Sequence, residues 1–310
     1  MAPNSLYICA FGHSGSTLLE MLLAGHPEMV AVGELHNLSH QIAIGRSCSC
    51  GSLPRNCPRW RAVAEAVRSE RGVDLFERPF DFRVSRERPR TLAERLVRLW
   101  NRGLCYAHFK GGLAGRLGLD RLTVSGATLA ANTDLVVETV RELAGARILI
   151  DSSKDYVRMR ERYAAAPAGT MKIVYLYRDG RGVTWSVMKS WRARAWYGAK
   201  EWAKSQRRIR AMLAGVRPED RLAIRYEDLC SNPEATLRRL CGWLGVGYAE
   251  QMIRLEPEEH HTIAGNKIRL KRGMTIRIDE AWRQRLGPAQ LRAFRFFGGA
   301  ENRRLGYPAA

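Results

Sequence analysis

Six residues near the amino end, Gly12-His13-Ser14-Gly15-Ser16-Thr17, follow an apolar run (Ser5 to Phe11) and open a helix-forming stretch that begins at Ser16 and ends near Gly25. Two glycines let the backbone turn sharply, and the free amides at the helix start then make an anion site. Strand, glycine turn and helix are common in α/β proteins, so the loop by itself says only that an anion is bound. The nucleoside triphosphate version requires Gly-x4-Gly-Lys-Ser/Thr, with its lysine on the β and γ phosphates. Aligned on Gly15 and Thr17, this chain has Ala10 for the first glycine and Ser16 for the lysine, which argues against a kinase. The apolar segment Arg147 to Asp151 ends in an aspartate of the kind that holds magnesium, and it keeps a small-molecule phosphotransferase as the alternative.

Seven cysteines, an odd number, are scattered except for Cys48, Cys50 and Cys57, a usage that suits a reducing compartment better than a disulfide framework. The cluster offers zinc ligands, with His36 or His40 as a fourth. Its Cys-x-Cys-x6-Cys spacing is irregular for a structural zinc site and favours reduced packing cysteines or one redox-labile pair, so no metal is assigned. The adjacent His260 and His261, with no carboxylate or cysteine at ligand spacing, read as surface residues.

Something must hold the loop in place. Apolar, β-branched runs occur at Ser5 to Phe11, Arg147 to Ile150, Met171 to Tyr177 and Arg221 to Arg225, each followed by a helical pattern, and Met29 to Val32 adds a short fifth. This alternation predicts an α/β fold with a parallel sheet, whose ligands bind beyond the carboxyl ends of the strands. Four places are thereby selected, beginning at Gly12, Asp151, Arg178 and Tyr226. The stretch 58–144 reads as a helical insertion, with helices near Arg59 to Arg71, Thr91 to Gly111 and Leu122 to Leu143, and it is expected to shape the acceptor site. No repeat interrupts the chain, so residues 1–310 are read as one domain.

Lys and Arg outnumber Asp and Glu by 51 to 31, and a net charge of +20 favours anionic partners. No nucleic-acid signature accompanies that charge, so no nucleic acid is expected, and a non-enzymatic polyanion binder is the third reading. The local run Arg83, Arg86, Arg88 and Arg90 is either solvated surface or the rim of an acidic-acceptor site. The opening residues have neither a basic n-region nor a leader-length apolar stretch, and no segment reaches the length of a spanning helix; a soluble, cytoplasmic protein is expected.

Gly12 to Leu19, with His26-Pro27 after it and Gly33-Glu34 further on, resembles the opening of the sulfotransferase superfamily, its bacterial, carbohydrate and tyrosylprotein branches above all. The segment Ile173 to Ser186 is similar to the family's 3′-phosphate segment, in which an arginine at a strand end is followed eight residues later by a serine. Arg225-Tyr226-Glu227-Asp228-Leu229 looks like the segment whose tyrosine lies beside the adenine, and Asp151 to Asp155 like the stretch that carries an active-site lysine. Gly265 to Gly273 resembles the late basic loop that closes over the donor, with Lys271-Arg272 in place of the usual Arg-Lys order before Gly273. The resemblance implies a three-layer sandwich of the phosphate-loop type with a helical insertion. It also implies the donor 3′-phosphoadenosine 5′-phosphosulfate and the product adenosine 3′,5′-bisphosphate.

In this family Gly12, His13, Ser14, Gly15, Ser16 and Thr17 would wrap the 5′ phosphosulfate, with His13 where lysine or arginine is usual. A neutral His13 would donate one hydrogen bond, and a protonated one would stabilise the leaving phosphate. Arg178 and Ser186, the latter about one helical turn in, would address the 3′ phosphate together with the helix N-terminus. Sulfuryl transfer needs a deprotonated acceptor hydroxyl in line with sulfur, and the small charge of the transferred group makes a metal unnecessary. Glu34 is the expected base, with His36 as neighbouring candidate; otherwise Glu34 is a capping or solvated acid. Lys154 would neutralise the bridging oxygen, unless it pairs with Asp151 or Asp155. A hydroxyl-bearing acceptor is expected, with carbohydrate or glycolipid favoured over peptide and natural product. Oligomeric state cannot be read from the sequence.

Overall fold

The computed structural model describes residues 2–85, 127–255 and 260–308. Five parallel strands, β1 (Ser5–Ala10), β2 (Met29–Gly33), β3 (Ile148–Asp151), β4 (Met171–Tyr177) and β5 (Arg221–Arg225), lie in the order β2-β3-β1-β4-β5. Ser5 sits opposite Leu149 on one side and Met171 on the other, so the amino ends are level and the chain leaves every strand at the same edge.

Alternation along β1 builds the layers. Leu6, Ile8 and Ala10 pack against α1 (Ser16–Ala24) and α9 (Pro233–Leu244), while Tyr7 and Cys9 meet α5 (Tyr156–Ala165) and α7 (Ala195–Leu213). A strand apolar on both faces is what a fully covered parallel sheet requires. The α/β sandwich expected from the sequence is therefore present, and its strand ends fall within one residue of the expected runs.

At the β2–β3 end, α2 (Leu38–Ala43), α3 (Pro58–Arg71) and α4 (Ala127–Leu143) complete one layer. Trp60, Val63, Val67, Val136 and Val140 share a core with Val30, Val32 and Leu149. The described ends of the 58–144 stretch thus cover the sheet; the expected helix at Thr91 to Gly111, and Arg86, Arg88 and Arg90, lie outside the described residues. Arg83 is exposed.

Beyond β4 come α6 (Gly180–Trp191) and, after β5, α8 (Tyr226–Ser231). The last described helices are α10 (Trp282–Arg285), α11 (Pro288–Phe297) and α12 (Gly299–Arg304). Asn302, fully buried, accepts from the Gly180 amide at 2.9 Å and so ties the carboxyl end to the start of α6. Among the described residues no helix is long and apolar enough to cross a membrane.

Candidate active site

A cavity of about 1510 Å³ opens beyond the carboxyl ends of the strands. It is lined by Gly12, His13, Gly15, Ser16 and Thr17 from the loop, and by Glu34, Lys154, Arg178, Ser186, Tyr226 and Lys271 from later segments. The structure therefore brings most of the expected site residues to one place. Ser14 lies fully buried, and Arg272 and Gly273 do not line the cavity; Lys267 lines it beside Lys271.

The loop is shaped by two left-handed residues, His13 (φ 67°) and Gly15 (φ 92°). Gly15 is the N-cap of α1 and has no side chain to satisfy the first amides, which leaves them for an anion. Its hydrogen is also needed: a Cβ there would stand 2.4 Å from the Tyr226 ring. Tyr226 in turn lies under the Arg178 guanidinium, 4.4 Å from ring centroid to Cζ, so the loop, the aromatic face and the arginine form one packed unit.

Arg178 leaves β4 almost buried and donates to the His13 carbonyl at 3.1 Å and the Asp279 carbonyl at 2.5 Å. Its charge is met by the Asp279 carboxylate at 3.3 Å. Ser186 is the seventh residue of α6, nearly two turns in at about 3.6 residues per turn, not one. The start of α6 is already occupied: Asp179 accepts from the Arg181 amide at 2.9 Å, and Asn302 takes the Gly180 amide. The expected share of this helix N-terminus in anion binding is corrected accordingly. The Arg178 and Ser186 side chains line the cavity, with Lys189 one turn further along the same helix.

Glu34 follows β2 and forms an ion pair with Lys154, which follows β3; neither Asp151 nor Asp155 takes that lysine. Asn37 donates to the other Glu34 oxygen at 3.2 Å. Burial pushes the Glu34 carboxyl up, but the Lys154 ammonium, its hydrogen bond, His36 and Asn37 together hold it below the ordinary glutamate range. Lys154 itself sits at φ 65°, a left-handed conformation that costs a non-glycine residue about 1–3 kcal/mol and marks a backbone held by its surroundings.

The two site histidines are driven towards neutrality. Burial lowers His13, and Lys154 and Arg178 lower it further. Burial also dominates at His36, whose Nδ1 is buried without a partner. His13 also packs on Trp191, with ring centroids 5.8 Å apart. Asp151 is fully engaged by the Ser153 amide (2.9 Å), the Ser153 hydroxyl and Arg158 (3.4 Å), so this carboxylate fastens the loop after β3.

Sequence reasoning missed Glu20, Asp279 and Asn266. Glu20 lies under the site on α1, 3% exposed, its carboxyl pushed up by burial to about 7 against the pull of Ser152, Lys154 and the Gly33 backbone. A lone acid among leucines in Ser16 to Leu23 was a signal in plain view. The Asn266 amide donates to Thr17 Oγ1 at 3.3 Å, and a Cβ on Gly265 would lie 3.4 Å from the same oxygen. The late loop thus rests on the start of α1.

The fold and the site define an α/β protein with a phosphate loop that lacks the triphosphate lysine. Residues 120–250 match the model of the Sulfotransferase family. Across solved structures, the sulfotransferase domain from the curacin biosynthetic pathway is 20% identical, with 99% of each chain covered and a TM-score of 0.50. The sulfotransferase domain from the Synechococcus PCC 7002 olefin synthase is 20% identical over 96% of this chain and 95% of that one, with a TM-score of 0.49. No curated protein matches the sequence. The matched segment and the shared sulfotransferase fold support the sulfotransferase superfamily, the one that the sequence motifs resemble.

Proposed function

We propose that this protein transfers a sulfuryl group from 3′-phosphoadenosine 5′-phosphosulfate to an acceptor hydroxyl and releases adenosine 3′,5′-bisphosphate. The observation that supports this most is Glu34, held against Lys154 at the rim of a loop that offers amides to an anion, with Arg178 and Ser186 lining the same cavity. In this reading the loop amides and Lys267 hold the 5′ side, Arg178, Ser186 and Lys271 the 3′ phosphate, and Tyr226 flanks the adenine.

Glu34 takes the proton of the acceptor hydroxyl as its oxygen bonds to sulfur. The bond from sulfur to the phosphate oxygen breaks, its electron pair stays on that oxygen, and Lys154 and the loop amides neutralise the developing charge. His13 donates one neutral hydrogen bond. The outer wall mixes Ile44, Phe80 and Trp191 with His36, Asn37 and His40, an amphipathic surface that suits a carbohydrate or glycolipid, with both apolar faces and hydroxyls.

Thermal unfolding tests the donor. Adenosine 3′,5′-bisphosphate without magnesium, at about a hundred times its Kd, should stabilise the chain by about 2.7 kcal/mol. Stabilisation by ATP only with magnesium would support phosphoryl transfer instead, and equal binding of any polyanion, lost at raised salt, would support the non-enzymatic reading. A labelled-donor assay against a panel of carbohydrate, glycolipid, peptide and small-molecule hydroxyls identifies the acceptor.

A further inference from the structure

The cysteines near β2 meet a histidine from the other end of the chain. Cys48, Cys50 and Cys57 converge with His261, and the four ligand atoms all lie within 4.8 Å of one another. The Cys57 sulfur is 3.7 Å from that of Cys48 and 3.3 Å from His261 Nδ1. A tetrahedral ion at ordinary zinc distances sets its sulfurs about 3.8 Å apart and sulfur from nitrogen about 3.6 Å apart. The spacing therefore suits four ligands around one centre, whereas a disulfide would pull two sulfurs to about 2.05 Å and leave the other two groups idle. The site expectations are corrected here: the group beside the three cysteines is His261, not His36 or His40, and of the His260–His261 pair the first is buried and the second half-buried.

What surrounds the cluster is built to aim it. Gly51 (φ 88°) turns the Cys48-to-Ser52 knuckle, where the Cys48 amide donates to the Ser52 carbonyl at 2.8 Å. His261 holds φ 50°, and its carbonyl accepts from the Trp60 indole at 3.0 Å. Next to it, Ser49 and Thr262 exchange two hydrogen bonds, amide to carbonyl at 3.0 Å and amide to Oγ at 2.9 Å. The buried Arg269 reaches the Ser47 carbonyl at 2.6 Å. Cys48 and Cys57 are fully buried.

We propose that Cys48, Cys50, Cys57 and His261 bind one zinc ion, which fastens the segment 260–271 to the knuckle after β2. All four positions are filled by protein, so the site is closed and structural and takes no part in the transfer. Its effect on the active site is mechanical: Ile263 bridges to Gly33, Gly265 lies against Thr17, and Asn266 donates to Thr17, all within five residues of His261. The ion holds the closing loop on the phosphate loop. Nothing in this proposal depends on the reaction being sulfuryl transfer.

Metal analysis of the full chain, purified reduced and offered zinc, should find about one zinc per chain. Cys57→Ser and His261→Ala should each lose most of it, and His261→Cys should keep it, because a thiolate replaces the imidazole. Should Cys57→Ser fail to fold, cobalt bound to the unaltered chain gives the same answer through the absorption of tetrahedral, thiolate-ligated cobalt. Chelation should lower the melting temperature of the unaltered chain. Less than a tenth of an equivalent of zinc after reconstitution, a cobalt spectrum without thiolate ligation, or full zinc in both Cys57→Ser and His261→Ala would each overturn the proposal.

Discussion

The Glu34 carboxylate and the Lys154 ammonium face each other from neighbouring strand ends, each side chain 17% exposed. The pair is closed enough to matter and open enough to reach a substrate. Burial alone would raise Glu34 above its ordinary value of 4.5, and Lys154 reverses the sign. The contribution of Glu34 to stability is therefore complete above pH 4.5 and lost as pH falls through the lower folded value. Glu34→Gln should lower turnover by about a hundred- to ten-thousandfold while leaving bisphosphate affinity in place. Lys154→Met should lower turnover too, and move the acid limb of the pH–rate profile upward, because the main opposition to burial is then gone and only His36 and Asn37 remain. Near-normal turnover in Glu34→Gln would remove it as the base.

Glu20 is expected to give the protein a pH-dependent stability near neutrality. Its folded pKa of about 7 lies above its ordinary 4.5, so the folded chain binds the extra proton between these values and stability falls as pH rises. The full effect is on the order of 3 kcal/mol. Denaturant unfolding across pH 4.5 to 7.5 should show that decline, and Glu20→Gln should flatten it.

Gly33→Ala should uncouple β2 from the closing loop. Gly33 holds φ 80°, and a Cβ would stand 2.2 Å from the Ile263 carbonyl oxygen, a backbone atom with little room to give. The left-handed backbone alone costs about 1–2 kcal/mol, and the displaced loop adds to it. Chemical denaturation should show a loss of at least about 2 kcal/mol, and calorimetry a weaker bisphosphate.

Asp279→Asn should tighten the bisphosphate. Asp279 holds the Arg178 charge at 3.3 Å and competes with a phosphate for it, yet it is 51% exposed, so the competition is screened. A gain of about two- to fivefold at low salt, shrinking as salt is added, is expected from titration calorimetry. Weaker binding would show that Asp279 instead holds Arg178 in position.

Local chemistry made much of this fold legible. The apolar runs of β1 to β4 needed no distant information, because strands covered on both faces read as continuous apolar segments; β5, at the sheet edge, buries only Ile224. Gly12 to Thr17 and Arg178 stood where a parallel sheet places its ligands. What escaped were pairings set by topology. His261 lies 204 residues from Cys57 and had no ligand nearby in the sequence. Lys154 stood between two aspartates yet pairs with Glu34, 120 residues away. Asp179, one residue after Arg178, caps α6 and takes the Arg181 amide, and Asn302, 122 residues from Gly180, takes the Gly180 amide.

The contact of Asn266 with Thr17 joins two ends of a chain that is made in order. On the ribosome Arg225, which ends the last strand of the sheet, is made before Asn266, so the loop from Gly12 to Thr17 gains its covering segment only late in synthesis. A chain released before Asn266 would lack the part of the cavity wall that Asn266, Lys267 and Lys271 supply, and with it the buried Phe294 and Asn302 that complete the packing of α7 and α6.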